Sequence, residues 1–593
     1  MIGLVLFCSC HGDRRVVALS LQMNQFPKMH RCLEISEIQA KICADLGNEG
    51  KKDALARLAR IGRVFHESAI RQLWKEIPGL HVITNLLPGC FLERDEELIL
   101  AHNPPISEHL PRLKKYTDLV KVVDYPTRYY LNKGPKPFHW TALHLLSAGN
   151  IIPLPLFRNA REITLPFLLD SRRTTIFYPA FLLSPTVESI TILTDEVIDT
   201  DIWWGDVLES QPEDAHCKSL INHLAPLASN ISRFAIRGTE TVWERHTPMV
   251  CLSGILPLFS NTLRSLDITH LSMDAEGIAS LSRLGGLEDL KLLIQAGTQW
   301  PNSRTINFEA LTSLDVVIKD AVVDPCQTFF HSMRAPRLQY LSLAFALDGE
   351  EVDLGAVFLN LSCAVDSSSL TSITVKVAEI NVNYLQDDDM DATAFAVASS
   401  TLKPLSIFKN LTTFELDPCR LLPSFTDSDL LELTSSWPNL ERLQMQEETT
   451  RFKLSETAVT LRGVQEALGH CPKLSFLSIP CDASEIPNNS TLKPHPSLAH
   501  WNFNHSPLGC GRHLVKWVLA NYPGVKEICN FEQARKELAR MCLPSGGRSW
   551  EKLEQAADDF LVALAQWNGV LPALAEFRSS TSNTCDSSMG SLI

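Results

Sequence analysis

The chain has 593 residues, 45% of them apolar and 21% charged, and carries a net charge of −14 at pH 7. These are values of a folded globular protein, and an acidic chain without a basic stripe lacks the local excess of Lys and Arg that general binding to nucleic-acid phosphates needs. The 16 cysteines stand one at a time with no Cys-x-x-Cys pair, so they read as reduced thiols packed like small apolar residues, in a cytoplasmic or nuclear protein.

The opening Met1-Ile-Gly-Leu-Val-Leu-Phe-Cys-Ser-Cys10 is apolar, but it has no positive flank and falls short of the ~20 residues that span a bilayer. Residues 1–28 are therefore expected to be a dispensable extension ahead of Met29, and no membrane partner is expected. From Leu33 the period becomes helical. Ile35, Ile38, Ile42 and Leu46 predict a first helix that stops at Gly47. After the polar loop Gly47–Lys52, a second stripe follows in Leu55, Leu58, Ile61 and Phe65, and a third in Ala69, Ile70, Leu73 and Trp74. A bundle of about 45 residues buries little surface, and modules below roughly 70 residues usually need a staple or a partner.

The spacing Glu37-Ile38, Ile42, Leu46, then Leu55, Ile61, Phe65, then Leu73-Trp74 resembles an F-box, the adaptor-binding motif of SCF-class ubiquitin ligases. Ile61-Gly-Arg-Val-Phe65 is similar to that family's Val-x-x-x-Trp segment and Leu73-Trp74-Lys-Glu-Ile77 to its closing Leu-Trp-x-x-Leu, while Ile35-Ser36 stands where the family has Leu-Pro. With the repeats that follow, the order resembles that of fungal, basidiomycete-type F-box proteins with leucine-rich repeats. The resemblance implies a substrate receptor: residues 29–77 dock on a Skp-type adaptor, and through it a cullin, by way of Ile38, Ile42, Leu55, Phe65, Leu73 and Trp74, while the repeats hold a protein substrate. The residues themselves leave a second reading open, in which the helices only cap a protein-binding solenoid.

Residues 78–160 contain many prolines, among them Pro104, Pro105, Pro135 and Pro137, and read as a stiff linker and N-terminal cap. A solenoid is predicted over 161–530. Leu263-Arg-Ser-Leu266-Asp-Ile268, Leu287-Glu-Asp-Leu290-Lys-Leu292, Leu311-Thr-Ser-Leu314-Asp-Val316 and Leu338-Gln-Tyr-Leu341-Ser-Leu343 repeat Leu-x-x-Leu-x-Leu, and the first three start about 24 residues apart. Further strands are predicted at 187–192, 231–236, 370–375, 411–416, 440–445, 474–479 and 498–503, several of them introduced by Pro438, Pro472 or Pro496. The fold class is thus α/β, a leucine-rich-repeat solenoid with a curved parallel sheet and helices on the convex side, preceded by the three-helix module.

Alternation places the residue between the second and third apolar positions on the concave face. That row reads Asp267, Lys291, Asp315, Ser342, Thr374, Glu415, Gln444, Ser478 and Asn502, polar without a dominant charge, as suits a protein substrate rather than a polyanion. Tyr340, Arg442, Phe476, His500 and Trp501 flank it as expected anchors, because aromatic residues and Arg dominate interface energies, while Phe476 and Trp501, the latter at a core leucine position, equally fit a core-filling role. Asp387–Asp391 reads as a solvated acidic loop, 531–577 as a C-terminal helical cap and 578–593 as a disordered tail.

The sequence holds no Gly-x-Ser-x-Gly elbow, His-Glu-x-x-His pair or Gly-Lys-Ser/Thr phosphate loop, so neither catalysis nor a cofactor is expected. Cys8-Ser-Cys10 and Cys510-Gly-Arg-His513 lack a second ligand pair, and no metal is expected at either. Asn230-Ile-Ser232, Asn410-Leu-Thr412 and Asn489-Ser-Thr491 fit the glycosylation pattern, which carries meaning only on the secretory route.

Overall fold

The computed structural model describes residues 35–124, 152–167, 181–194, 221–238, 252–269, 275–294, 306–318, 323–345, 353–377, 395–445, 458–487, 495–502 and 517–529, apart from 62, 95, 96, 418, 519, 523 and 526, and also 142, 145 and 146. The expected extension, acidic loop, terminal cap and tail, together with Cys8, Cys10, Cys510, His513 and Asn489, lie outside these residues. The chain divides into two compact units, 1–77 and 78–593.

In the first unit the stripes fold into three helices, α1 (Ser36–Asn48), α2 (Lys52–Ile61) and α3 (Arg63–Trp74), and the second stripe is corrected at its end: Leu55, Leu58 and Ile61 lie on α2, whereas Phe65 belongs to α3. Cys43, Leu55, Phe65 and Ala69 make the core, and Ile42, Leu46, Leu58, Ala59 and Leu73 pack around it. The first stripe is corrected at its start: Ile35 precedes the helix and stays 48% exposed, while Gln39 and Cys43 are the buried positions of α1. Gly47 permits close packing, since a Cβ there would meet the Gln72 side chain of α3 at 2.2 Å. The loop closes through Lys51 N–H donating to the Leu46 carbonyl at 2.9 Å, with Gly50 at φ +69°, a conformation glycine adopts without strain.

The second unit is built on one parallel sheet. Its strands are β1 (Val122–Val123), β2 (Glu162–Phe167), β3 (Ser189–Thr194), β4 (Arg233–Gly238), β5 (Ser265–Ile268), β6 (Asp289–Ile294), β7 (Ser313–Ile318), β8 (Tyr340–Phe345), β9 (Ser372–Val377), β10 (Thr413–Asp417), β11 (Arg442–Gln444), β12 (Phe476–Ser478), β13 (His500–Asn502) and β14 (Glu527–Cys529), each pairing with the next in chain order. This is a leucine-rich-repeat solenoid. Within this unit the strands begin at Val122, inside the stretch expected to be a linker, which also holds the helix Ile106–Thr117 and an antiparallel hairpin, Phe91–Arg94 with Glu97–Leu100. It runs unbroken past the insertion near 390, where β9 pairs directly with β10.

The first leucine of each repeat lies in the turn before its strand, so observed strands start about two residues later than a reading from that leucine. Leu263, Leu287, Leu311, Leu338, Leu370, Leu411, Leu440, Leu474 and Leu498 are all at most 1% exposed. Two separate short parallel pairs join connecting segments, Ile306–Asn307 with Met333–Arg334 and Phe395–Val397 with Cys419–Leu421. Helices fill the remaining layer, including α4 (Val323–Ser332), α5 (Leu354–Ala364), α6 (Asp427–Ser436) and α7 (Leu461–Leu468), with α4 packed on α5 and α6 on α7. Phe414 of β10 meets Trp437 at 5.3 Å between ring centroids, and the indole N–H donates to the Leu405 carbonyl at 3.2 Å.

Successive turns are tied by side chains three residues before a strand begins. Asn159, Asn230 and Asn410 donate their amides to the carbonyls of Asp118, Pro185 and Ser368, each at 2.8 Å, and Thr262 donates to Ala228 at 2.8 Å. Ser232 and Thr412, two residues on, donate to the carbonyls of Glu188 at 3.3 Å and Thr371 at 3.0 Å. Two of the three glycosylation-like triplets are therefore rungs of an inter-repeat hydrogen-bond ladder, a structural use of Asn-x-Ser/Thr that satisfies turn carbonyls.

Candidate functional site

Parallel pairing without slippage stacks equivalent residues sideways. The register places Asp267, Lys291, Asp315, Ser342, Thr374, Glu415, Gln444, Ser478 and Asn502 in one lateral row across β5 to β13, all nine residues of the sequence-derived row. The first six are half-buried. The expectation that all nine face a ligand is corrected for the last three, since Gln444, Ser478 and Asn502 are 4%, 0% and 4% exposed. Gln444 is already engaged, accepting from Arg442 Nη2 at 2.8 Å.

A second row, two residues earlier in each strand, carries the expected anchors. Tyr340, Arg442, Phe476 and His500 share it with Ser265, Asp289, Ser313, Ser372 and Thr413. Tyr340 is 54% exposed. Arg442 stacks its guanidinium over the Phe476 ring at 3.6 Å from the centroid, Phe476 neighbours His500 at 6.3 Å, and Arg442 Nε donates to Glu415. This stack holds Arg442 by a cation–π contact and two hydrogen bonds, which removes side-chain entropy before any ligand arrives. Trp501 is not an anchor: it is fully buried, edge-on to Tyr522 at 5.0 Å.

The sequence reading missed a third row, two residues later than the first. There Leu293, Val317 and Ala344 form a buried cluster separate from the main core. Strands of six residues rather than four would have exposed it, because alternation returns positions 293, 317 and 344 to the inner face. The inner charges are largely neutralised within the sheet: Arg233 pairs with Glu162 at 2.9 Å, Arg237 with Asp267 at 3.7 Å, and Arg442 with Glu415.

The expected adaptor-binding residues separate into two groups. Leu55 and Phe65 are 1% and 7% exposed and form the bundle core, which corrects their assignment to a docking face. A module this small has few other side chains with which to build a core. Ile38, Ile42, Leu73 and Trp74 are half-buried, with Ile42 and Leu73 packed against the core from outside. Ile42 also lines an open groove of about 830 Å³ with Leu46, Ala54 and Leu58, bordered by Lys51, Lys52, Asp53 and Arg57. The sequence signal for this groove was the polar loop between the first two stripes, read only as a connection.

Among the described residues no group of three His, Cys, Asp or Glu side chains could hold a metal ion, and no helix is long and apolar enough to cross a membrane. The thiols of Cys326 and Cys471 are enclosed by the repeats, and burial pushes Cys471 up to about 12.

No protein-family model and no curated protein matches this chain. Similar solved structures include an internalin of Listeria monocytogenes, at 12% identity and a TM-score of 0.25, covering 55% of this chain and 76% of that one. The plant peptide hormone receptor RGFR1, in complex with RGF2, is similar at 9% identity and a TM-score of 0.28, covering 59% of this chain and 52% of the receptor. The Toll–Spatzle complex of Drosophila is similar at 10% identity and a TM-score of 0.22, covering 59% and 54%. The chain thus spans about half the length of the matched chains in these two complexes, 52% and 54%, and the assignment of a leucine-rich-repeat solenoid rests on the strand register itself.

Proposed function

We propose that this chain is a non-enzymatic protein-binding receptor whose inner sheet face holds a protein partner. The supporting observation is the pair of polar and aromatic rows running across β5 to β13, with Arg442 fixed between Glu415 and Phe476. A continuous face of this kind gives many modest contacts around a few rigid anchors, which is how protein interfaces distribute their energy.

The finer reading is a substrate receptor of an SCF-type ligase in the cytoplasm or nucleus, with the helical unit docked on a Skp-type adaptor. Three things support it: the resemblance of 29–77 to an F-box, the compactness of that unit, and a groove with an apolar floor and a rim of Lys51, Lys52 and Arg57. The receptor's contribution is then proximity, since a substrate lysine held beside the ubiquitin carrier reacts at high effective concentration while the chemistry belongs to other subunits.

The test is co-purification of the tagged full-length chain with a Skp-type adaptor and cullin, comparing wild type with Arg57→Glu and with Trp74→Ala, each checked for folding by circular dichroism. Adaptor recovery that is lost in a folded variant supports the ligase reading. No recovery with wild type removes the adaptor and leaves a protein-binding solenoid.

A further inference from the structure

Among the described residues two neighbouring charges on the inner face show no partner. Lys291 and Asp315 are register partners on β6 and β7 and both are half-buried, yet among the described residues neither joins an ion pair or a side-chain hydrogen bond. Opposite charges facing each other on adjacent strands, about 4.8 Å apart, ordinarily close on one another. The surroundings explain part of the isolation of Lys291. Asp267, on its other side, is turned to Arg237 at 3.7 Å, and Asp289, two residues earlier on its own strand, accepts from Ser265 at 2.9 Å. Next along the same strands lie the buried Leu293 and Val317, and one strand further, on β8, stand the buried Ala344 and Tyr340, 54% exposed.

A half-buried charge that lacks a partner has lost part of its hydration without compensation, and a neighbouring apolar cluster strengthens any ion pair formed there. Lys376, on the β9 side of that cluster, is exposed and keeps its water, so it differs from this pair. We infer that Lys291 and Asp315, flanked by Tyr340, are the specificity-determining contact of the inner face. They take a partner segment that places an acidic side chain on Lys291 and a basic one on Asp315, with an apolar or aromatic residue against Tyr340. An extended segment crossing the strands advances about 3.3 Å per residue, so the two charges fall within about two residues of each other in the partner. The inference rests on the proposal that the inner face binds protein.

The test is selection from a displayed random library of twelve-residue peptides on the immobilised full-length protein, run in parallel on wild type, on Lys291→Asp/Asp315→Lys and on Tyr340→Ala. Wild type should enrich peptides with an acidic and a basic residue at a fixed short spacing. The swapped protein should enrich the reverse order, and binding of wild-type peptides to it should fall at least ten-fold. Peptides lost in Tyr340→Ala but indifferent to the swap would overturn this inference and leave inner-face binding standing. Peptides indifferent to every inner-face substitution, or no selected peptide at all, would overturn both.

Discussion

Substituting Gly463 by Ala should destabilise the protein, although the same change in a helix interior normally stabilises by about 1 kcal/mol. Gly463 lies in the first turn of α7, where its N–H donates to the hydroxyl of the N-cap Thr460 at 3.1 Å. Thr460 is itself held by Asp427 of the preceding repeat, which accepts from its backbone N–H and from its hydroxyl, both at 2.7 Å. A Cβ on residue 463 would meet the Asp427 carboxylate at 2.0 Å and its Cβ at 2.6 Å. Turning the carboxylate away breaks two charge-assisted hydrogen bonds at about 1.5 kcal/mol each, so the net change is a loss of about 2 kcal/mol, before any backbone shift. In an Asp427→Gly background, where both the carboxylate and its Cβ are gone, the same substitution should recover the helix-propensity gain. The coupling between the two sites is then about 3 kcal/mol. Urea denaturation of the four proteins measures it. A stabilising Gly463→Ala in the wild-type background, or a coupling below about 0.5 kcal/mol, would refute this account of the inter-repeat cap.

Trp437→Phe should cost about 1–2 kcal/mol, because it removes one of two hydrogen bonds to the Leu405 carbonyl, which keeps the bond from the Phe408 N–H at 3.1 Å, and opens space beside Phe414; hydrogen exchange should quicken in β10 and β11 but not in β2, as expected where each repeat contacts only its neighbours. Asn410→Ala removes one rung of the turn ladder and should cost about 1 kcal/mol by urea titration, with Asn410→Asp close to it, since a carboxylate cannot donate to the Ser368 carbonyl. Among the described cysteines Cys363 is exposed and should alkylate in the folded protein at pH 8, whereas Cys471 should react only on unfolding, as read by mass spectrometry of labelled peptides. Because burial holds Cys326 and Cys471 above the ordinary thiol value of 9.0, the unfolded chain releases protons there that the folded chain keeps, so stability should fall as pH rises past that value; a flat profile between pH 8 and 10 would contradict it.

How much of this protein was legible beforehand follows from which interactions are periodic. Leu-x-x-Leu-x-Leu fixes a strand with two inward side chains and one outward, so the lateral row from Asp267 to Asn502 could be written down from the sequence, as could three helices from stripes at three and four residues. What the pattern lacks is depth and partners. Whether a row residue is open depends on the segments around it, so the burial of Gln444, Ser478 and Asn502 had no local signal. Leu55 and Phe65 carry the same stripe signal as Ile42, yet only packing decides which of them closes the core and which borders a groove.

The sequence by itself determined the element types, the repeat and the face on which each strand residue stands, because these depend on backbone periodicity alone. Only the tertiary structure decided that Asn230 and Asn410 are inter-repeat rungs, that Arg442 lies on Phe476, and that the neighbouring Lys291 and Asp315 show no partner among the described residues. Each joins residues more than twenty positions apart in the chain, and such distances are fixed by how the repeats stack rather than by any local preference.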